Sequence, residues 1–247
     1  MDRVFFDLDD TLYDQLVPFE GAYREVFGAC FDASGPDGTP LDVWELFRAS
    51  RRHSDEAFAA SESGEMPMEE MHVYRLKRAF ADFGIEVGDA DCLRMQGIYA
   101  AAQESDIRLS PAIVALLDWC AGNLPPGIIT NGPAVHQRKK MEALGLGRWV
   151  GPDDMLVSSE VGVAKPDPRI FRMACERAGT KPERCVFVGD SFGADVVGAV
   201  AAGMPVVWLN RRGNAMPEGP DVPRPTWVAS REEELLGLLS EAAEGAR

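Results

Sequence analysis

The 247-residue sequence has only three histidines, no paired cysteines, a deficit of basic residues and no long apolar run. Its apolar stretches fall short of the roughly 20 residues that a membrane-spanning helix needs. The first ten residues, MDRVFFDLDD, lack a signal-peptide core, so a cytoplasmic protein with no membrane partner is expected. The five cysteines, Cys30, Cys92, Cys120, Cys175 and Cys185, are odd in number and form no Cys-x-x-Cys pair. That pattern excludes a disulfide framework and structural zinc, and predicts buried thiols. His53, His72 and His136 have no metal-ligand spacing. With 25 Lys and Arg against 40 Asp and Glu, the net charge of −15 repels nucleic acid, so an anionic ligand must be captured locally. No P-loop or Gly-x-Gly-x-x-Gly follows a strand, which removes nucleotide-hydrolysing and NAD-binding readings. What is present, 46% hydrophobic and 26% charged residues, is the mix of a packed globular protein.

The chain opens on an apolar, β-favouring run, Val4-Phe5-Phe6, that turns acidic at Asp7-Leu8-Asp9-Asp10. Residues 15–105 then show helical periodicity only, as in Leu41 to Phe47 and Met71 to Phe80, with turn-rich breaks at 34–38 and 61–64. This pattern predicts an inserted α-helical domain of that extent. After it, short continuous apolar strands at 127–130, 155–157, 185–188 and 205–208 alternate with helices at 111–119, 168–178 and 194–202. The expected fold is therefore α/β. Its core, residues 1–14 and 106–247, is a Rossmann-like parallel sheet with helices on both faces, and the first strand joins that sheet.

Ligands of an open parallel sheet bind beyond the carboxyl ends of the strands. There the sequence places Asp7 and Asp9, Thr130 and Asn131, Lys165 ahead of the 168 helix, and Asp190 with Asp195. Converging carboxylates left unpaired force one another toward protonation, a conflict that a divalent cation resolves. Oxygen ligands with room for water and a substrate phosphate suit Mg²⁺ better than Ca²⁺ or Zn²⁺. Lys165 adds positive charge and Thr130 a hydroxyl, so a tetrahedral phosphate fits the set, with Asn131 beside them. Asp7 is placed to attack phosphorus, and Asp9 to protonate the leaving oxygen and then activate water.

Four ordered motifs resemble the haloacid dehalogenase superfamily of phosphatases and related hydrolases. They are Asp7-Leu8-Asp9-Asp10-Thr11-Leu12, Ile129-Thr130-Asn131-Gly132, Gly162 to Phe171 around Lys165-Pro166, and Val188-Gly189-Asp190 through Asp195. The resemblance implies a core interrupted by a helical cap that closes over the site and sets selectivity. It implies Asp7 as nucleophile, Asp9 as acid/base, and Thr130 and Lys165 as phosphate binders. Asp7, the backbone carbonyl of Asp9, and Asp190 would hold Mg²⁺, with Asp195 in support. Asp10 stands where glycine is frequent, a variant similar to sugar-phosphate and nucleotide phosphatases.

The expected function is thus Mg²⁺-dependent hydrolysis of a small phosphate monoester through an aspartyl-phosphate on Asp7, by a monomer or homodimer. A metal-independent 2-haloacid dehalogenase is the enzymatic alternative, opposed by Asp9. A phosphorylatable switch or binding protein is the alternative of another class. Residues 15–105 carry 8 basic and 17 acidic side chains, so the Arg48, Arg51, Arg52, His53 cluster reads mostly as a solvated helix face. Trp44, Phe47, Phe58, Tyr74 and Phe80 read as core.

Overall fold

A computed structural model describes residues 1–28 and 41–244. Cys30, the expected turn at 34–38 and the side chain of Phe58 lie outside the described residues. The chain divides into two compact units, Met1–Asp14 with Ile107–Arg247, and Gln15–Asp106. The boundary read from sequence, 105/106, falls one residue earlier.

The discontinuous unit is built on six parallel strands, β1 (Arg3–Phe6), β2 (Pro126–Thr130), β3 (Met155–Val157), β4 (Cys185–Gly189), β5 (Val206–Leu209) and β6 (Trp227–Ala229). Their order across the sheet is β3-β2-β1-β4-β5-β6. β1 is therefore central, with Val4 in register with Pro126 on one side and Arg3 with Cys185 on the other. Successive side chains of a strand point to opposite faces, and here both faces are apolar. Val4, Phe6, Ile128, Val186 and Val188 pack on one side with Ile113, Leu116 and Leu235. Phe5, Ile129, Phe187 and Trp208 pack on the other with Ile170, Phe171 and Ala199. Each large buried side chain contributes roughly 1.5–3 kcal/mol, which is what holds β1 between partners distant in sequence.

β6 escapes the sequence pattern. It is three residues long, follows the proline-rich stretch 217–225, and lies at the sheet edge with Val228 exposed. The helix expected at 194–202 also differs. A π-helical turn, Phe192–Val196, opens it, with Ser191 Oγ accepting from the amide of Ala194.

The contiguous unit comprises α1 (Leu16–Phe27), α2 (Val43–Ser63), α3 (Met68–Ala81) and α4 (Asp89–Ser105). Asp42 caps α2 by accepting from the amide of Trp44, and Gly64 closes it in the left-handed conformation. The stripes of the four helices meet in a core of Phe19, Tyr23, Leu46, Phe47, Leu76, Phe80, Cys92 and Met95, with Trp44 packed against it. Arg48 pairs with Glu45 and Arg52 with Asp82 on the surface, as the solvated-face reading expects. His53 departs from it: the ring is buried, with Nδ1 2.8 Å from Glu56 and Nε2 2.7 Å from Asp82. Cys92, Cys120, Cys175 and Cys185 are buried free thiols. Among the described residues no helix is long and apolar enough to cross a membrane.

Candidate active site

The carboxyl ends of β1, β2 and β4 bring most of the anticipated residues together. Asp7 directly follows β1, and its amide donates to the Val188 carbonyl at 2.9 Å, extending the ladder and fixing its backbone. Lys165 Nζ lies 2.6 Å from Asp7 Oδ1 and 2.7 Å from Asp195 Oδ1, a buried triad of one cation and two carboxylates. Asp195 is fully buried and takes the Ser191 amide on its other oxygen. That approach requires Gly189: a Cβ there would lie 2.3 Å from Asp195 Oδ2. Gly198 does the same for the Lys165 loop, where a Cβ would meet the Pro166 carbonyl oxygen at 2.8 Å.

One oxygen each of Asp7, Asp190 and Asp195 lie within 4.8 Å of one another. This all-oxygen donor set fits a hard divalent cation. Burial, with the Asp195 and Asp9 charges beside it, pushes Asp7 up to about 7 although Lys165 opposes the rise. The cluster thus holds more negative charge than Lys165 offsets, which is the condition a cation relieves.

Asp9 occupies a different environment. Its Oδ1 accepts from Tyr13 Oη at 2.5 Å and from Lys140 Nζ at 2.7 Å, and its Oδ2 accepts from Gln137 Nε2 at 2.9 Å. Burial alone would raise it, but the Lys140 ammonium and the two other donors outweigh burial and hold it well below the usual carboxylate range. Gln137 Nε2 also lies 3.0 Å from Thr130 Oγ1 and 2.6 Å from the Asn131 carbonyl oxygen, tying the second strand end to the first. Both Gln137 and Lys140 come from α6 (Ala134–Ala143), the helix that follows α5 (Pro111–Asn123) and β2, and its buried residues are these two polar ones. Apolar periodicity therefore gives no sign of it; their three-residue spacing just after Thr130-Asn131-Gly132 is the signal that was available.

Asn131, expected beside the phosphate, turns its amide to the Lys165 backbone. Its Nδ2 donates to the Lys165 carbonyl and its Oδ1 accepts from the Lys165 amide, each at 2.8 Å. These two hydrogen bonds tie the Asn131 side chain to the Lys165 backbone and orient that residue. Asp190 is half-buried; its Oδ1 is 3.4 Å from Thr11 Oγ1, and its carbonyl accepts from Trp208 Nε1 at 2.8 Å.

Asp10 has a left-handed backbone, φ 62°, which explains why glycine suits the position. The aspartate is compensated: Arg212 lies 2.6 Å from Asp10 Oδ1 and also pairs with Asp14. Arg211 donates to the Thr11 carbonyl at 3.0 Å, so the loop after β5 braces the segment following Asp7.

A family model for haloacid dehalogenase-like hydrolases matches residues 1–203. The glyceraldehyde 3-phosphate phosphatase of Methanothermobacter thermautotrophicus is 33% identical over 208 residues, covering 84% of each chain. The pyrimidine 5′-nucleotidase YjjG of Escherichia coli is 41% identical over 130 residues, 52% of this chain and 56% of the relative. The magnesium-bound HAD-hydrolase YfnB of Bacillus subtilis shares the fold, with a TM-score of 0.70 and 24% identity over 96% of this chain and 98% of that one. With four motifs gathered at one sheet edge and a family match over most of its length, the chain belongs to the haloacid dehalogenase-like hydrolases.

Proposed function

We propose that this hydrolase is a Mg²⁺-dependent phosphatase of small phosphate monoesters that works through an aspartyl-phosphate on Asp7. The observation that carries the reading is the geometry at the strand ends: Lys165 Nζ lies 2.6 Å from Asp7 Oδ1, one oxygen each of Asp7, Asp190 and Asp195 lie within 4.8 Å of one another, and Asp9 stands beside them held by Lys140, Tyr13 and Gln137. Asp7, Asp190 and the Asp9 carbonyl would hold Mg²⁺, with Asp195 in support, and the ion would supply the positive charge that ionises Asp7 and offsets the transferring phosphoryl group. The relatives' names, phosphatase and nucleotidase, support phosphate monoesters as the substrate class.

In the first half-reaction an Asp7 oxygen bonds to phosphorus and the ester P–O bond breaks; because Asp9 starts ionised, the proton for the departing oxygen is the one carried by the monoanionic ester, relayed through Asp9. In the second, Asp9 takes a proton from water, the water oxygen bonds to phosphorus, and the Asp7–phosphorus bond breaks to release phosphate. Lys165 and the Thr130 hydroxyl steady the phosphoryl oxygens, and Asn131 keeps Lys165 in place. The test is phosphate release from a panel of small phosphate esters with Mg²⁺ and with chelator. Turnover abolished by chelation is expected; halide release from 2-haloacids in the presence of chelator would overturn the reading.

Lys140 sets the ionisation of Asp9, so its removal has a definite sign. Without that ammonium the Asp9 carboxyl rises toward its ordinary value, and the limb of the kcat–pH profile that it governs moves to higher pH. For Lys140→Met we expect a shift of about one pH unit or more and a roughly tenfold lower kcat at nearly constant KM. An unmoved profile would remove Lys140 from the mechanism.

A further inference from the structure

The helical unit buries a cation for which the described residues supply no counter-ion. Arg75 lies in α3 among Met71, Leu76, Ala79 and Phe80, on the stripe where the helical pattern calls for an apolar side chain, and only 7% of it is exposed. Its Nη2 donates to Gln96 Oε1 on α4, and its guanidinium carbon stands 6.0 Å from the centre of the Tyr99 ring. Among the described residues no carboxylate pairs with it, and its buried Nε has no acceptor. Carboxylates are plentiful here, and Arg24, Arg48, Arg52 and Lys77 of the same unit each pair with one. Burial, together with the Arg51 charge on α2, lowers Arg75 to about 10, so it stays charged at neutral pH.

A buried charge with an unmatched donor costs several kcal/mol, and a methionine of similar shape would serve the fold better. The guanidinium edge formed by Nε and Nη2 is the fork that takes the two oxygens of a carboxylate side by side. The unpaired Nε completes that edge, Gln96 holds Nη2 in orientation and Tyr99 walls one side.

We propose that Arg75, with Gln96 and Tyr99, forms a binding site in the helical unit for the carboxylate of a free organic acid acting as an effector. The site stands on the geometry of the helical unit and does not rest on the phosphatase reading.

The experiment has two arms, run on the full chain. In the first, the thermal midpoint of wild type, Arg75→Met and Gln96→Glu is followed against malonate, with chloride at matched ionic strength as control. Malonate is expected to raise the wild-type midpoint and neither variant's; Gln96→Glu, which gives the guanidinium an internal carboxylate, should start from a higher midpoint. In the second, phosphate release from O-phosphoethanolamine, an ester without a carboxylate, is measured with and without malonate. Malonate is expected to change the rate in wild type and in neither variant. Absence of a malonate shift in the wild-type midpoint overturns the site, as does retention of that shift in Arg75→Met. Should the ester not be turned over, the phosphatase reading fails while the thermal arm still decides the site.

Discussion

Asp7→Asn is expected to release phosphate at least about ten-thousandfold more slowly than wild type and, in chelator at pH 8, to melt at a higher temperature. The first effect follows from the loss of the attacking oxygen. The second follows from what the carboxylate costs where it stands. Burial first, and then the Asp195 and Asp9 charges, raise Asp7 from 3.8 to about 7, so the folded state binds its proton more tightly than the unfolded chain does. Its contribution to stability is complete below about 4 and is lost as pH rises through about 7. Asparagine never acquires that charge, and Lys165 keeps Asp195 as its partner. The difference in midpoint should vanish near pH 4 and reach about 5 °C at pH 8 without metal. Added Mg²⁺ should stabilise wild type and leave Asp7→Asn nearly unmoved. A variant that melts lower at pH 8, or that retains turnover, would refute the assignment of Asp7.

Lys165→Met should move stability the other way. It leaves Asp7 and Asp195 facing one another in a buried site, and removing one partner of a buried ionic cluster costs about 3–5 kcal/mol. For a chain of this size that is a drop of about 10 °C in the midpoint, with activity lower by about a thousandfold. Mg²⁺ should recover part of the stability and little of the activity, because the cation that steadies the phosphoryl oxygens is gone. Lys165→Arg should not restore function, since a planar fork cannot place one charge between two carboxylates 2.6 and 2.7 Å away. Calorimetry and phosphate release together check both halves. Wild-type stability in Lys165→Met would mean that the triad is not an ionic cluster.

The strand ends were readable in the sequence because the physics there is local: a continuous apolar run must be a buried strand, and the polar residue that ends it must face the ligand edge. Asp7, Thr130 and Asp190 are of that kind, whereas Lys165, in the loop ahead of the 168 helix, is legible only through its motif. The surroundings of Asp9 were not readable in that way. Gln137 and Lys140 are buried because they serve a polar site, so the periodicity that reveals most helices is silent for α6. Arg212 reaches Asp10 and Asp14 across some 200 positions, a pairing that no local pattern encodes. Asn131 could be placed near Lys165 by the motifs, but only the fold shows its amide on the lysine backbone. Arg75 hides for the opposite reason to Gln137: it takes an apolar position in a helix whose period is otherwise regular.

The central place of β1 also bears on how the protein comes into being. β1 precedes its sheet neighbours β2 and β4 in the chain, the nearer of them by more than 120 residues. In between emerge α1 to α4, whose contacts are largely local and can form during synthesis. For much of translation the nascent chain therefore carries a folded helical unit preceded by an unpaired Val4-Phe5-Phe6 segment. In that order of events the Asp7 backbone is fixed only after Val188 has arrived.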